Sequence, residues 1–266
     1  MVNGKIIFIT GAGSGIGRDT AMALAKRGHR VIATTHSDQQ AEKLSKLAYR
    51  ESLSLKSFKL DVTVAQDREK ILRYQVDVLI NNAATGESGS LAEIDMDRVR
   101  KNFETNLFSG IALTQLALRG MMYRNRGRIL FISSLAGRVI FMPFLASYAM
   151  TKYAVSAGAE SLRQEIKMIH KNIHIIVIEP GAYHTGFNQK MMATKFEWMD
   201  KSSYFFQGLE RIKMDEDRHF RMTEQKSTKS IVRKIIKACE ADKPRFRYSA
   251  PWWQSLGIRL LRIAGK

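Results

Sequence analysis

Thr10-Gly11-Ala12-Gly13-Ser14-Gly15-Ile16-Gly17 stands between an apolar run, residues 5–10, and an amphipathic stretch, residues 16–27. A strand that breaks into glycines and re-forms as a helix has few uses. Glycine lets the chain turn sharply and lets backbone N–H groups approach a ligand with no Cβ in the way. The N-terminus of the following helix then offers its positive dipole end to a phosphate. The spacing Gly11, Gly15, Gly17 is G-x-x-x-G-x-G, not G-x-G-x-x-G. A tight turn alone would also favour glycine. Placement at the first strand-to-helix junction is what turns the reading toward a nucleotide.

The remainder continues that alternation. Apolar, β-branched runs at residues 30–35, 57–60, 76–81, 128–133, 173–179 and 245–248 read as strands. Helical periods separate them, with residues 97–123 and 229–241 the clearest. Near-continuous apolar strands joined by helices predict a mostly parallel seven-stranded sheet covered on both faces, a doubly wound α/β fold of Rossmann type. Its ligand crevice lies at the carboxyl ends of the strands. No repeat or low-complexity linker interrupts residues 1–266, so a single domain is expected. Residues 186–225 break the rhythm, with Phe187, Met191, Met192, Phe196, Trp198, Met199, Phe205 and Phe206 set among charges. So long a connection without a strand reads as a substrate lid, or as surface helices packed on the body.

The glycine turn resembles the T-G-x-x-x-G-x-G signature of the short-chain dehydrogenases/reductases, and further motifs follow in order. Asp61-Val62 resembles the family's adenine-contacting pair. Asn81-Asn82-Ala83-Ala84 resembles N-N-A-G, with Ala84 in place of glycine. Asn106 falls where the family carries a catalytic asparagine, and Ser134 ends the fifth strand. Tyr148 and Lys152 form Y-x-x-x-K, and Pro180-Gly181 with Thr185 match P-G-x-x-x-T. The resemblance covers about residues 4–185, and is nearest to hydroxysteroid and retinol dehydrogenases and to uncharacterised bacterial reductases.

Tyr148 and Lys152, four apart, share one helix face. A phenol is a weak acid near neutrality, and a neighbouring ammonium is expected to lower its pKa. The resemblance implies that Tyr148 is the general acid and base, Ser134 holds the substrate oxygen, Lys152 binds the nicotinamide ribose, and Asn106 anchors a proton-relay water. It implies cofactor contacts from Gly11, Gly13, Ser14, Gly15, Ile16, Gly17, Thr35, His36, Asp61, Val62, Asn82, Ala83, Ala84, Tyr148, Lys152, Pro180, Gly181 and Thr185. Ser134 lies 14 residues before Tyr148, where 13 is the family's commonest spacing; the extra residue is expected to bulge residues 138–143. Ser133, the neighbouring candidate, points to the other side of the strand.

Cofactor choice turns on the end of the second strand, where an acid would bind the ribose hydroxyls of NAD. Here the sequence is Thr34-Thr35-His36-Ser37, with Thr35 at the acidic position. Thr35, His36 and Ser37 could each donate to a 2′-phosphate, so NADP(H) is favoured; Asp38 keeps NAD(H) open.

The 266 residues carry 43 Lys+Arg against 25 Asp+Glu, a net charge of +18. Such an excess suits a solvated basic surface, an anionic membrane or an acidic partner. No nucleic-acid motif accompanies it, so no nucleic acid is expected. The one cysteine, Cys239, rules out an internal disulfide framework and a cysteine-based zinc cluster. No metal is expected. No apolar run suffices to span a bilayer, and the opening residues lack a signal-peptide layout, so a cytoplasmic setting is expected. The Met-rich lid suggests a small apolar carbonyl or alcohol as substrate. A 3-oxoacyl-[acyl-carrier-protein] reductase, docking an acidic partner on Arg124, Arg126 and Arg128, is an alternative, and a non-catalytic dinucleotide sensor another. The resemblance also implies a homodimer or homotetramer through the helices bearing Asn106 and Tyr148. In the tail, residues 251–266, Trp252, Trp253, Leu256, Leu260 and Leu261 form a stripe, with Arg259, Arg262 and Lys266 largely off it. That pattern fits either peripheral contact with an anionic membrane or packing over the lid or a neighbouring subunit.

Overall fold

Ile7 and Ile9 face one side of the first strand and Phe8 the other, and all three are fully buried in two different core clusters. A strand with no polar face must lie in a sheet covered on both sides. The computed structural model, which describes residues 4–140 and 142–265, shows that sheet. Lys266 of the basic tail lies outside the described residues, as do the first three residues and Phe141.

The strands are β1 (Ile6–Ile9), β2 (Arg30–Thr35), β3 (Leu55–Lys59), β4 (Val78–Asn81), β5 (Gly127–Ile132), β6 (Ile173–Pro180) and β7 (Arg247–Ala250). Between them run α1 (Gly15–Lys26), α2 (Asp38–Arg50), α3 (Ala65–Glu69), α4 (Met96–Phe103), α5 (Ser109–Arg124), α6 (Ala146–Met168), α7 (Phe187–Ala193), α8 (Leu209–Thr223) and α9 (Lys229–Glu240); α10 (Trp252–Ile263) follows the last strand. Among the described residues the sheet has seven strands in the order β3-β2-β1-β4-β5-β6-β7, every pairing parallel. The order reverses between β1 and β4, which opens a crevice at their carboxyl ends. Ile7, Ile9, Val31 and Ile80 pack with Leu24 of α1, Leu44 of α2 and Ile235 of α9. On the other face Phe8, Leu79, Ile129 and Val177 pack with Leu113 of α5 and Val155 of α6.

Local features differ from the sequence reading, β3 beginning two residues earlier than expected and β4 two residues later. The helix expected at residues 97–123 is α4 and α5 joined through a π turn, Glu104–Phe108. Such a turn interrupts the hydrogen-bond ladder and recurs at functional sites; here it holds Asn106. The last strand begins two residues later than expected, because the apolar Tyr248 and Ala250 are the ones turned inward. In the loop before α6, Phe144 takes a positive φ of 61°. Residues 186–225 form α7, α8 and short 3-10 turns, and an isolated bridge, Tyr183 to Gln225, helps tie their end to the body.

Candidate active site

Thr10 ends β1 and locks the glycine turn to β4. Its hydroxyl accepts from the N–H groups of Asn82 and Ala83, both at 3.0 Å. Asn82 returns the contact, its Nδ2 donating to the carbonyls of Thr10 (2.9 Å) and Gly11 (3.0 Å). Gly11 has φ +65° and packs so tightly on Ala83 that a Cβ would fall 2.7 Å from the Ala83 Cα. At Gly17 a Cβ would collide with the Gly11 carbonyl, which explains the glycine three residues into α1. Ala84 sits half-buried in the same loop without disturbing it.

Ser14 is the residue before α1 and makes no capping bond through its side chain, so the helix N-terminus is left for a ligand. A cleft of about 420 Å³ opens there, bounded by Ser14, Gly15, Thr185 and Gly186 and by the cations Arg18 and Lys226. Its one acid, Asp19, is bonded to Arg18 and to the Thr228 hydroxyl. Amides, dipole and cations around one cleft fit a dinucleotide pyrophosphate. Gly13 and Ile16 belong to the same turn. Asp61 and Val62 follow β3, and the Asp61 carboxylate lies 4.0 Å from the exposed His36 imidazole.

Thr35 corrects the sequence reading. It is 1 % exposed, and its hydroxyl donates to the Ser37 carbonyl at 2.8 Å. That hydroxyl is therefore not free for a phosphate. His36 and the half-buried Ser37, the residue capping α2, are the groups that face outward.

On the other side of the crevice, Ser134 follows β5. Its Oγ accepts from the Ala136 N–H at 3.1 Å and lies 3.5 Å from the Pro180 carbonyl. Ser133 points away as expected, its hydroxyl bonded to the Lys152 carbonyl (3.0 Å) and to Ser156 (2.9 Å). Tyr148 and Lys152 stand on α6, 8 % and 3 % exposed. The Lys152 Nζ lies 5.6 Å from the Tyr148 ring centre and donates to the Ile132 carbonyl at 2.9 Å. Burial pushes the Tyr148 phenol up to about 12, and the Ser134 hydroxyl bonded to it pulls the other way. Burial lowers Lys152 to about 8. The expected net depression of the tyrosine is thus not what this arrangement gives: desolvation outweighs the Ser134 hydrogen bond.

Asn106 accepts from the Thr85 N–H at 2.8 Å, and its Nδ2 donates to the Thr85 carbonyl at 2.8 Å. Asn102 Oδ1 (2.9 Å) and Thr151 Oγ1 (3.1 Å) complete its surroundings. The side chain clamps the loop after β4 to α6, rather than reaching toward Lys152.

Residues that the sequence reading passed over complete the site. Thr85 and Asn102 partner Asn106, and Asn102 was detectable, lying four residues before it on one helix face. Gly137 lets the loop bearing Ser134 lie on α6, since a Cβ there would come 2.8 Å from the Lys152 backbone. Glu179, 1 % exposed, holds Arg247 at 2.8 Å and Arg138 at 3.4 Å, tying that loop to β6 and β7. An acid at the end of the apolar run 175–178 was its signal. Above Tyr148 the wall is apolar: Met142, Leu145, Met191 and Met192 are buried around it, and the Phe187 ring lies 5.7 Å away.

The short chain dehydrogenase family description matches residues 5–195. Among characterised relatives, the 3-ketodihydrosphingosine reductase of Bacteroides thetaiotaomicron is 32% identical over 216 residues, covering 80% of this chain and 77% of its own. The uncharacterised oxidoreductase YusZ of Bacillus subtilis is 36% identical over 195 residues, covering 70% and 67%. Bovine dehydrogenase/reductase SDR family member 7B is 31% identical, covering 81% and 70%. A short chain dehydrogenase/reductase from Burkholderia phymatum in complex with NAD superposes with a TM-score of 0.82 at 19% identity, over 97% of this chain and 92% of that one. A variant actinorhodin polyketide ketoreductase with NADPH gives 0.77 at 22%, over 94% and 97%. At these identities the structural likeness is one of fold.

Proposed function

The chain belongs to the short chain dehydrogenase family of NAD(P)-dependent oxidoreductases, and we propose that it interconverts a carbonyl and an alcohol on a long apolar substrate. One observation carries the reading: the Tyr148 phenol faces Ser134 beneath a wall of methionines and phenylalanine. The dinucleotide, when bound, supplies or accepts the hydride at the substrate carbon. In the reducing direction Ser134 donates to the substrate oxygen and orients it, and Tyr148 transfers its proton to the developing alkoxide. Lys152 stabilises the phenolate left behind. An ammonium beside the phenolate favours the charged form and so offsets part of what burial costs it.

The dinucleotide is held by Gly11, Gly13, Ser14, Gly15, Ile16 and Gly17, with Asp61 and Val62 at the adenine, Asn82, Ala83 and Ala84 along the crevice, and Pro180, Gly181 and Thr185 at the nicotinamide end. The absence of an acid at Thr35, His36 and Ser37 favours NADP(H) over NAD(H). The lid is the segment 186–225, and its apolar inner wall suits an apolar ketone, as the name of the Bacteroides 3-ketodihydrosphingosine reductase suggests for that relative. Docking of an acyl carrier protein on the Arg124–Arg128 cluster is disfavoured, because Arg124 and Arg128 are spent on the carbonyls of Val76 (2.8 Å) and Ala238 (2.9 Å). Exposed Phe108 and Ile111 on the π turn and α5, with Tyr153 on α6, offer the surface for a homodimer or homotetramer.

The test is an absorbance screen at the reduced-nicotinamide band, crossing NADPH and NADH with long-chain ketones, steroids, retinoids and 3-oxoacyl thioesters. Turnover confined to short polar carbonyls would defeat the apolar assignment.

A further inference from the structure

Helix α10 is apolar on two sides, and a helix of that kind has to be covered on both. Its inner side is covered: Ser255 and Ile258 are buried, and Ile258 packs against Leu135 and Val139 in the loop that follows Ser134. Gln254 fixes the helix to the site, its Oε1 accepting from the Ala182 N–H (2.9 Å) and its Nε2 donating to the Thr223 carbonyl (2.8 Å). The outer side is not covered. Trp252, Leu256, Leu260 and Ile263, at i, i+4, i+8 and i+11, are 76%, 48%, 58% and 84% exposed, with Trp253 beside them. Of the tail residues read as one stripe from the sequence, Leu261 lies instead at its half-covered edge, and Ile263 takes its place.

Charge selects the occupant. From Lys243 to Lys266 the chain has six Lys or Arg and no Asp or Glu, and of the six Arg247 is paired with Glu160 and Glu179. A second copy packed two-fold on this side would bring Arg259 and Arg262 against their own duplicates with no acid in the segment to neutralise them. Indole rings and leucines flanked by arginines match a bilayer interface, where the rings sit at headgroup level and the guanidinium groups meet phosphate. The net charge of +18 adds long-range attraction to the same surface.

We propose that the outer side of α10 seats this protein on an anionic lipid surface, with the mouth of the substrate site turned toward the membrane. An apolar substrate would then pass from the bilayer to Tyr148 without crossing water. The docking stands apart from the assigned reaction, because its test needs no turnover.

The full chain is mixed with vesicles of phosphatidylglycerol and phosphatidylcholine, or of phosphatidylcholine alone, and sedimented. Binding is expected to the anionic vesicles, to weaken with salt, and to be accompanied by a blue shift of tryptophan fluorescence. Leu256→Glu with Leu260→Glu should weaken it at least about tenfold. These side chains face solvent, so the double variant should keep the wild-type melting temperature and reduced-nicotinamide binding, which separates lost docking from lost folding. Absence of wild-type binding overturns the proposal, as does binding that the double variant leaves unchanged. A wild-type dimer that the double variant splits, with no vesicle binding in either, overturns it in favour of a second copy.

Discussion

Lys195 Nζ donates to Glu216 Oε2 at 2.6 Å, an ion pair closed off from solvent between the 3-10 turn Thr194–Glu197 and α8. Lys195 also donates to the Met192 carbonyl at 2.9 Å, so the pair holds both halves of the lid to the methionines above Tyr148. Burial lowers the lysine and raises the glutamate, each being partly restored by the other. Removing one partner leaves a buried charge, which costs about 3–5 kcal/mol. Glu216→Ala should therefore lower the melting temperature sharply, whereas Lys195→Met with Glu216→Leu should recover most of the loss. If the double variant melts no higher than the single one, the pair is not what closes the lid.

Tyr148→Phe keeps the ring against Phe187 and removes the transferable proton. Turnover should fall at least about hundredfold, the usual scale for losing a general acid. Affinity for the reduced dinucleotide, followed by its fluorescence, should stay within about twofold, as expected when only a transition-state interaction is lost. Retention of more than a few per cent of the wild-type rate would remove Tyr148 from the chemistry.

The strands were legible because Ile7, Phe8 and Ile9 leave no polar face, and the four candidate catalytic positions because motif spacing survives folding. The tertiary terms were not legible. Nothing in the sequence says that Asn106 spends its carboxamide on Thr85, because that contact joins residues 21 apart through a π turn. Nor does spacing reveal that desolvation raises Tyr148 against the pull of the Ser134 hydroxyl, which depends on how much of α6 is buried. Thr35 shows the same limit: its position in the strand was readable, the partner of its hydroxyl was not.

Lys152 gives the free enzyme a distinctive pH dependence. Its folded pKa, lowered to about 8 from 10.5, means that below pH 8 both states are protonated and the whole cost of burying the ammonium is present. Between those values the folded state sheds the proton while the unfolded state keeps it, so stability rises with pH. Tyr148, raised to about 12 from 10.0, acts oppositely above pH 10, where the unfolded state alone ionises and stability falls. Lys152→Met should stabilise the unliganded protein by roughly 1–3 kcal/mol near pH 7, an advantage that shrinks toward pH 10. Denaturant titrations of both proteins at the two pH values check this. An equal stability difference at both would mean that the ammonium is solvated.

On the proposed reading, cofactor preference rests on two side chains that follow β2. His36 is 84% exposed and Ser37 half-buried, and neither repels a 2′-phosphate, so the ratio of kcat/KM values should favour NADPH over NADH. Thr35→Asp is a poor probe, because a carboxylate would replace a hydroxyl that is 1 % exposed and bonded to Ser37. Ser37→Asp is a better one. The Ser37 hydroxyl caps α2 by accepting from the Gln40 N–H at 3.3 Å, and aspartate caps as well as serine does. The fold should survive while a negative charge appears beside the adenosine ribose. Repulsion of about 1–2 kcal/mol would shift the NADPH-to-NADH ratio roughly tenfold toward NADH. The phosphate contribution is electrostatic, so the shift should shrink with added salt. A wild-type protein that prefers NADH would assign the ribose hydroxyls to Asp38 instead, in the first turn of α2.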